Sequence, residues 1–204
     1  MIGIVDYGLG NIMAFSNAYN LLNIPNKIIK RKNDFEKVDK IILPGVGAFD
    51  HAMNQLNKSG LREELEKNVL IKKYPVLGIC VGMQIIGETS EEGSEKGLGW
   101  INGRVKSFSS NKYSKKISLP HMGWNNIKPQ IVNPLLYKIE SESRFYFLHS
   151  YFFECKNQDH IIGLTEYGFD FTSAINYSNI YGVQFHPEKS HGNGMQLLSN
   201  FANL

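Results

Sequence analysis

The feature that most constrains this chain is an alternation in its first half: short apolar runs end in glycine-containing loops, and helical patterns follow. Strands buried on both faces of a parallel sheet read as unbroken apolar runs, and their crossovers require helices. Ile2 to Val5 is the first such run, followed by the loop Asp6-Tyr7-Gly8-Leu9-Gly10-Asn11 and by Ile12, Phe15, Ala18, Tyr19 and Leu22 at helical spacing. Ile41-Ile42-Leu43 ends at Pro44-Gly45-Val46-Gly47, and Met53, Leu56, Leu61, Leu65 and Val69 predict helix after it. Val76-Leu77-Gly78-Ile79 is a further strand, with Cys80 at its end. Beyond Gly97 the segments Trp100 to Phe108, Trp124 to Ile127, Phe145 to Phe153, Ile161 to Glu166 and Tyr181 to Phe185 are rich in β-branched and aromatic residues, and Asn193 to Phe201 reads as a closing helix. The pattern predicts an α/β fold: an open, mainly parallel central sheet flanked by helices, with a strand-rich second half.

At 204 residues the chain fits one domain, expected to span 1–204. Its apolar fraction of 42% and charged fraction of 20% are ordinary for a globular protein, and no apolar run nears the roughly 20 residues of a bilayer span, so no membrane partner is expected. Met1 leads straight into the first strand with no secretory signal ahead of it, which makes the cytoplasm the expected compartment. A net charge of +3 gives no case for nucleic acid; Lys112, Lys115 and Lys116, with Tyr113 between them, are read as a solvated hairpin tip. Histidine and cysteine show no metal-ligand spacing, and neither metal nor cofactor is expected. His51, His160 and His191 are read as structural. Gly8 and Gly10 open a dinucleotide-binding fingerprint that fails at Met13, which leaves a tight structural turn.

Chemistry concentrates at two segments. Gly78-Ile79-Cys80-Val81-Gly82 sets a cysteine between glycines where a buried strand meets a helical stretch beginning near Met83-Gln84-Ile85-Ile86. This is the nucleophile elbow with sulfur in place of oxygen: the glycines permit a sharp turn, and the helix N-terminus favours thiolate. The Val81 N–H would face the oxyanion formed on attack. His186-Pro187-Glu188 follows the strand Tyr181 to Phe185, and in extended chain residues two apart point the same way. Glu188 can then fix the imidazole tautomer while the other ring nitrogen faces the thiol. The Pro44-Gly45-Val46-Gly47 loop, at the carboxyl end of a neighbouring strand, could supply the second oxyanion donor through Val46 or Gly47.

Together these segments resemble the class I (triad) glutamine amidotransferases. Membership rests on Gly78-Ile79-Cys80-Val81-Gly82-Met83-Gln84 and Gln184-Phe185-His186-Pro187-Glu188. Within the class, Asp6 to Asn11, Pro44 to Phe49, Pro120-His121-Met122-Gly123-Trp124-Asn125, His149-Ser150-Tyr151 and Lys189-Ser190 resemble the family of glutaminase subunits of imidazole glycerol phosphate synthase. Val81 departs from the leucine more usual in that family, without loss of the backbone donor. The resemblance implies that Cys80 attacks the side-chain amide of glutamine, that His186 protonates the leaving ammonia and then activates water, and that Glu188 orients His186. It implies that Gly47, Gln84, Ser150 and Tyr151 hold the substrate. It further implies that His121, Met122, Gly123, Trp124 and Asn125 lie against a (β/α)8-barrel cyclase, which forms a heterodimer with this chain and makes imidazole glycerol phosphate and an aminoimidazole carboxamide ribonucleotide in histidine biosynthesis. A shielded route for ammonia is a chemical necessity, because ammonium has no lone pair with which to attack carbon.

Other readings stay open at this point. A paralogous glutaminase feeding a different synthase, such as a bacterial surface-sugar amidotransferase, would carry the same triad. A catalytically idle regulatory subunit is opposed by intact Cys80, His186 and Glu188. A peptidase on the same elbow would leave Gln84 and the Trp124 segment unexplained.

Overall fold

The computed structural model describes residues 1–110 and 117–204. The basic cluster of Lys112, Lys115 and Lys116 with Tyr113 lies outside the described residues. Strands β1 (Ile2–Val5), β2 (Asn26–Ile29), β3 (Lys40–Gly45) and β4 (Val76–Cys80) alternate with helices α1 (Ile12–Leu21), α2 (Phe49–Lys58) and α3 (Arg62–Glu66), the last running into a π turn over Lys67–Ile71. After β4 come the short helix α4 (Val81–Gln84) and the strands β5 (Thr89–Ser90), β6 (Gly103–Ser107), β7 (His121–Asn126) and β8 (Lys128–Pro129). Strands β9 (Arg144–His149), β10 (Tyr151–Cys155), β11 (Ile161–Glu166), β12 (Asp170–Tyr177) and β13 (Ile180–Val183) lead to the closing helix α5 (His191–Ala202).

The large sheet runs in the order β2-β1-β3-β4-β13-β12-β10-β6-β5. From β2 to β13 every pairing is parallel, and from β13 through β12 and β10 to β6 every pairing is antiparallel. The expected α/β architecture is therefore present, with the parallel part assembled from the alternating first half plus β13, the strand that delivers His186. All of β4 is buried, as its unbroken apolar run requires for a strand covered on both faces. Helix α1 turns Phe15, Ala18 and Tyr19 into the core, its polar residues facing away.

Three local expectations are corrected. The helix after Cys80 begins at Val81 and stops at Gln84, rather than running through Ile86. The reason is competition: the Ile85 and Ile86 carbonyls, which would continue the ladder, accept instead from Leu98 N at 2.7 Å and Trp100 N at 2.9 Å. The run Phe145 to Phe153 is not one strand. It breaks at Ser150, so that β9 pairs with β7 in a separate two-stranded sheet while β10 joins the large one. Finally, Pro187–Lys189 forms a 3-10 turn instead of extended chain. Strands β2 and β12 were not legible as runs, and β2 is only half-buried over most of its length.

Candidate active site

Cys80 ends β4 with φ 56° and ψ −113°, left-handed backbone that a side chain rarely adopts, and it stands at the N-cap of α4. The flanking glycines act differently from the turn-making role expected of them. Neither has positive φ; they clear space. A Cβ on Gly78 would lie 2.6 Å from the Gly82 carbonyl oxygen, and one on Gly82 would collide with the Leu43 carbonyl. Gly45 likewise packs directly against the Gly82 backbone. Three glycines thus let α4 sink between β3 and β4 until the strain falls on the cysteine, the side chain held at the sheet's carboxyl edge.

Register does the rest. Gly45 is paired with Cys80 across β3 and β4, and Val183 with Ile79 across β13 and β4, so the Val46–Gly47 loop and the His186 segment leave the sheet on either side of the thiol. The first glycine loop supports this edge: Tyr7 Oη donates to the Pro44 carbonyl at 2.7 Å, and a Cβ on Gly10 would come within 2.6 Å of Pro44 Cβ. The tight structural turn read from the sequence is therefore a brace for the Pro44–Gly47 loop.

His186 has extended backbone, its N–H donating to Tyr146 O at 2.9 Å. Its Nδ1 lies 2.9 Å from Glu188 Oε1, both side chains almost fully buried. The 3-10 turn brings the carboxylate back under the ring, achieving by a different backbone path what extended chain was expected to do. Ser190 Oγ ties the corner down, donating to His186 O at 2.6 Å and accepting from Tyr146 N at 3.0 Å. Burial by itself pulls the His186 pKa down, but hydrogen bonding and charge attraction from Cys80 and Glu188 outweigh it and raise the value to about 10. Glu188 Oε2 is buried with no hydrogen-bond partner among the described residues, so the carboxylate's interactions centre on the imidazole.

These groups open on a cleft of about 320 Å³ whose walls include Cys80, His186, Val81, Val46, Gly47, Gln84, Ser150 and Tyr151. Every catalytic, oxyanion and substrate candidate except Glu188, which sits behind His186, therefore faces one space. Gly47 has φ +87°, with nothing within 4 Å of the point a methyl group there would occupy, while Val46 is exposed. Glu92 also lines the cleft and was not singled out by sequence reasoning; its carboxylate accepts from Phe49 N at 2.8 Å at the start of α2, and burial raises its pKa. Gln184 was quoted only as part of a motif, yet its Nε2 points to Cys80 Sγ at 3.8 Å. No local signal marks either one, since both act through contacts far away in sequence.

The Pro120 to Asn125 segment is divided between inside and outside. Met122 and Trp124 are exposed on β7, and Trp124 stacks on His191 with ring centroids 5.1 Å apart. His121 is only 3% exposed, so its side chain faces inward and cannot be a surface anchor, a correction that follows from strand alternation. His191 accordingly supports an exposed tryptophan.

A buried cysteine on strained backbone, an imidazole polarised by a carboxylate, and backbone loops converging on one cleft suit nucleophilic acyl transfer. Comparison with known proteins places this chemistry. The family model for glutamine amidotransferase class-I matches residues 4–204. Among curated relatives, "Imidazole glycerol phosphate synthase subunit HisH" of Bdellovibrio bacteriovorus is 53% identical, and that of Leptospira borgpetersenii 50%, each over 100% of both chains. A solved glutamine amidotransferase shares the fold with a TM-score of 0.76 at 16% identity, covering 100% of this chain and 99% of its own. The chain belongs to the class-I glutamine amidotransferase family and, within it, to the HisH family of glutaminase subunits of imidazole glycerol phosphate synthase.

Proposed function

We propose that Cys80, His186 and Glu188 are the catalytic triad by which this chain hydrolyses glutamine, and that the ammonia passes to a (β/α)8-barrel cyclase bound as a heterodimer. The observation that carries the assignment is the 2.9 Å His186–Glu188 contact behind a cysteine held at φ 56°. The Cys80 thiolate attacks the δ-carbonyl of glutamine, and the carbonyl electrons move onto oxygen. Val81 N–H and a backbone N–H of the Val46–Gly47 loop stabilise that oxyanion. The imidazolium of His186 gives its proton to the amide nitrogen as the C–N bond breaks, releasing ammonia and leaving a thioester. Neutral His186 then takes a proton from water, which attacks the thioester; glutamate leaves and the thiolate–imidazolium pair returns.

Substrate selection follows from the cleft walls. Glu92 is the carboxylate among the lining residues, suited to the α-ammonium of glutamine, while Lys189 offers a positive charge for the α-carboxylate. Gln84, Ser150, Tyr151 and Gly47 complete the contacts. Met122, Gly123, Trp124 and Asn125 form the cyclase-facing strand, with Trp124 as its aromatic anchor. The whole chain acts as a single glutaminase domain, and its place in histidine biosynthesis puts it in the cytoplasm.

The test is to combine the purified chain with the barrel cyclase and follow glutamate release and glutamine-dependent formation of imidazole glycerol phosphate. Product with ammonia but none with glutamine would overturn the assignment.

A further inference from the structure

Running inward from the cleft, with His149 in its wall, is a set of buried polar side chains for which the hydrolysis steps have no use. His121 on β7 and His149 on β9 are directly paired across the small sheet, and His121 Nδ1 lies 3.0 Å from His149 Nε2. Their neighbours determine where each proton sits. Asn125 Oδ1 accepts from Asn126 N at 2.8 Å and Asn125 Nδ2 donates to Glu166 O at 2.9 Å, which fixes the orientation of the amide. The same Nδ2 is 3.2 Å from His121 Nε2, so that ring nitrogen must accept. Burial lowers the pKa of His121 to about 4 and that of His149 to about 3, leaving each ring neutral at physiological pH with one proton to place. His121 therefore carries its proton on Nδ1 and donates to His149 Nε2. His149 in turn carries its proton on Nδ1, which is 2.8 Å from the carbonyl oxygen of Tyr151, an obligate acceptor. Both ends of the chain demand the same tautomers.

A second donor chain starts at Gln84 and meets the first only at the Tyr151 carbonyl, which accepts from both. Gln84 Nε2 also donates to Tyr151 O at 3.2 Å, and to Gln184 Oε1 at 3.1 Å, which turns Gln184 Nε2 toward Cys80 Sγ. We propose that His121 and His149 are positioning residues: a one-way hydrogen-bond relay, starting at Asn125 on the outer strand, holds the Tyr151 carbonyl and with it the Ser150–Tyr151 wall of the substrate cleft. The role rests on the glutaminase reading of that cleft. Neither histidine touches reacting atoms in this scheme. Each acts through the wall it holds, and the effect belongs to substrate binding more than to bond breaking.

Two substitutions at His121 separate the relay from packing. The ring is stacked between Tyr167, at 4.0 Å between centroids, and Phe147, at 4.7 Å. His121→Phe keeps the stack and removes both hydrogen bonds. His121→Asn loses the stack but places an amide N–H where Nδ1 was. With the cyclase saturating, His121→Phe should raise KM for glutamine about tenfold, the scale of one buried hydrogen bond, and change kcat far less. His121→Asn should restore KM to within about twofold. An unchanged KM in His121→Phe, or a KM in His121→Asn as high as in His121→Phe, would overturn the relay. An independent reading needs no variant: 15N-histidine spectra of the intact chain should show both rings as Nδ1–H tautomers, and an Nε2–H tautomer at either would equally overturn it. If the unaltered chain with its partner released no glutamate, the glutaminase reading would fall, while the tautomer spectra would still decide the relay.

Discussion

Cys80 sits on strained backbone because the residues around it leave no other place for the strain, and that makes its substitution informative. Cys80→Ala should abolish glutamine hydrolysis while acceptor turnover on added ammonia continues; glutamate release near the original rate would remove the covalent mechanism. His186→Ala should cost at least ~10²- to 10⁴-fold in turnover, the usual worth of a positioned proton-transfer group, because it also activates the thiol. Glu188→Gln should cost less, since the isosteric side chain can still bond the ring, and equal retention of activity in both variants would mean another base. Titration gives a second handle on the pair. The His186 pKa, raised from 6.5 to about 10, means that the folded state binds this proton more tightly than the unfolded chain. The resulting stabilisation is complete below the unfolded value and is lost as pH rises through about 10. Cys80→Ala removes the contributions of Cys80 to that shift, so His186 should titrate lower, and denaturant unfolding should depend less on pH between roughly 7 and 10. The proposed triad was legible because each of its parts lies in a short contiguous motif. Glu92 and Gln184 were not, as the first is brought in by the start of α2 and the second by its contact with α4.

Among the elements, the tightest constraint is the seating of α4 against β3. Gly82→Ala would drive a methyl group into the Leu43 carbonyl, backbone against backbone with no flexible side chain to yield. We expect a loss of at least roughly 1 to 3 kcal/mol in denaturant unfolding, with glutaminase activity lost more steeply than stability because Cys80 moves with the helix. Wild-type stability and turnover in this variant would show that the elbow has room. Parallel strands β1, β3 and β4 could be read from sequence because a strand buried on both faces leaves an unbroken apolar run, as in Val76 to Ile79, whereas β2, half-buried at the end of the sheet, leaves none. Three features could not: the stop of α4 at Gln84, the break at Ser150, and the pairing of β7 with β9. The first depends on Leu98 and Trp100 capturing carbonyls, and the others on which sheet each strand joins, a choice made by partners distant in sequence. Period-two alternation along β7 accounts for the burial of His121 and the exposure of Trp124, which the sequence reading had placed together on the partner-facing surface.

For the whole molecule, the question is how hydrolysis is kept in step with a partner that must receive the ammonia. The proposed oxyanion loop has a rigid end and a free end. Tyr7 Oη holds the Pro44 carbonyl and Gly45 is wedged against Gly82, whereas Gly47 at φ +87° has open space around it and Val46 is exposed. Rotation of a peptide plane is therefore confined to the Val46–Gly47 stretch, where glycine makes it sterically cheap. On the proposed mechanism only an N–H turned into the cleft lets the loop complete the oxyanion site, and loss of one such donor typically costs ~10²- to 10³-fold in turnover. A partner that shifts this loop can gate hydrolysis by about that factor, which would prevent waste of glutamine when no acceptor is waiting. We therefore expect weak glutamate release from the isolated chain, more with the cyclase bound, and most when the cyclase also carries its nucleotide ligand. Measuring release in those three states checks the gate. Full activity in the isolated chain, unchanged by either addition, would sink the gating while leaving the triad in place. A rise on adding the cyclase that Trp124→Ala abolishes, with Cys80 still open to alkylation, would locate the coupling at the exposed face of β7.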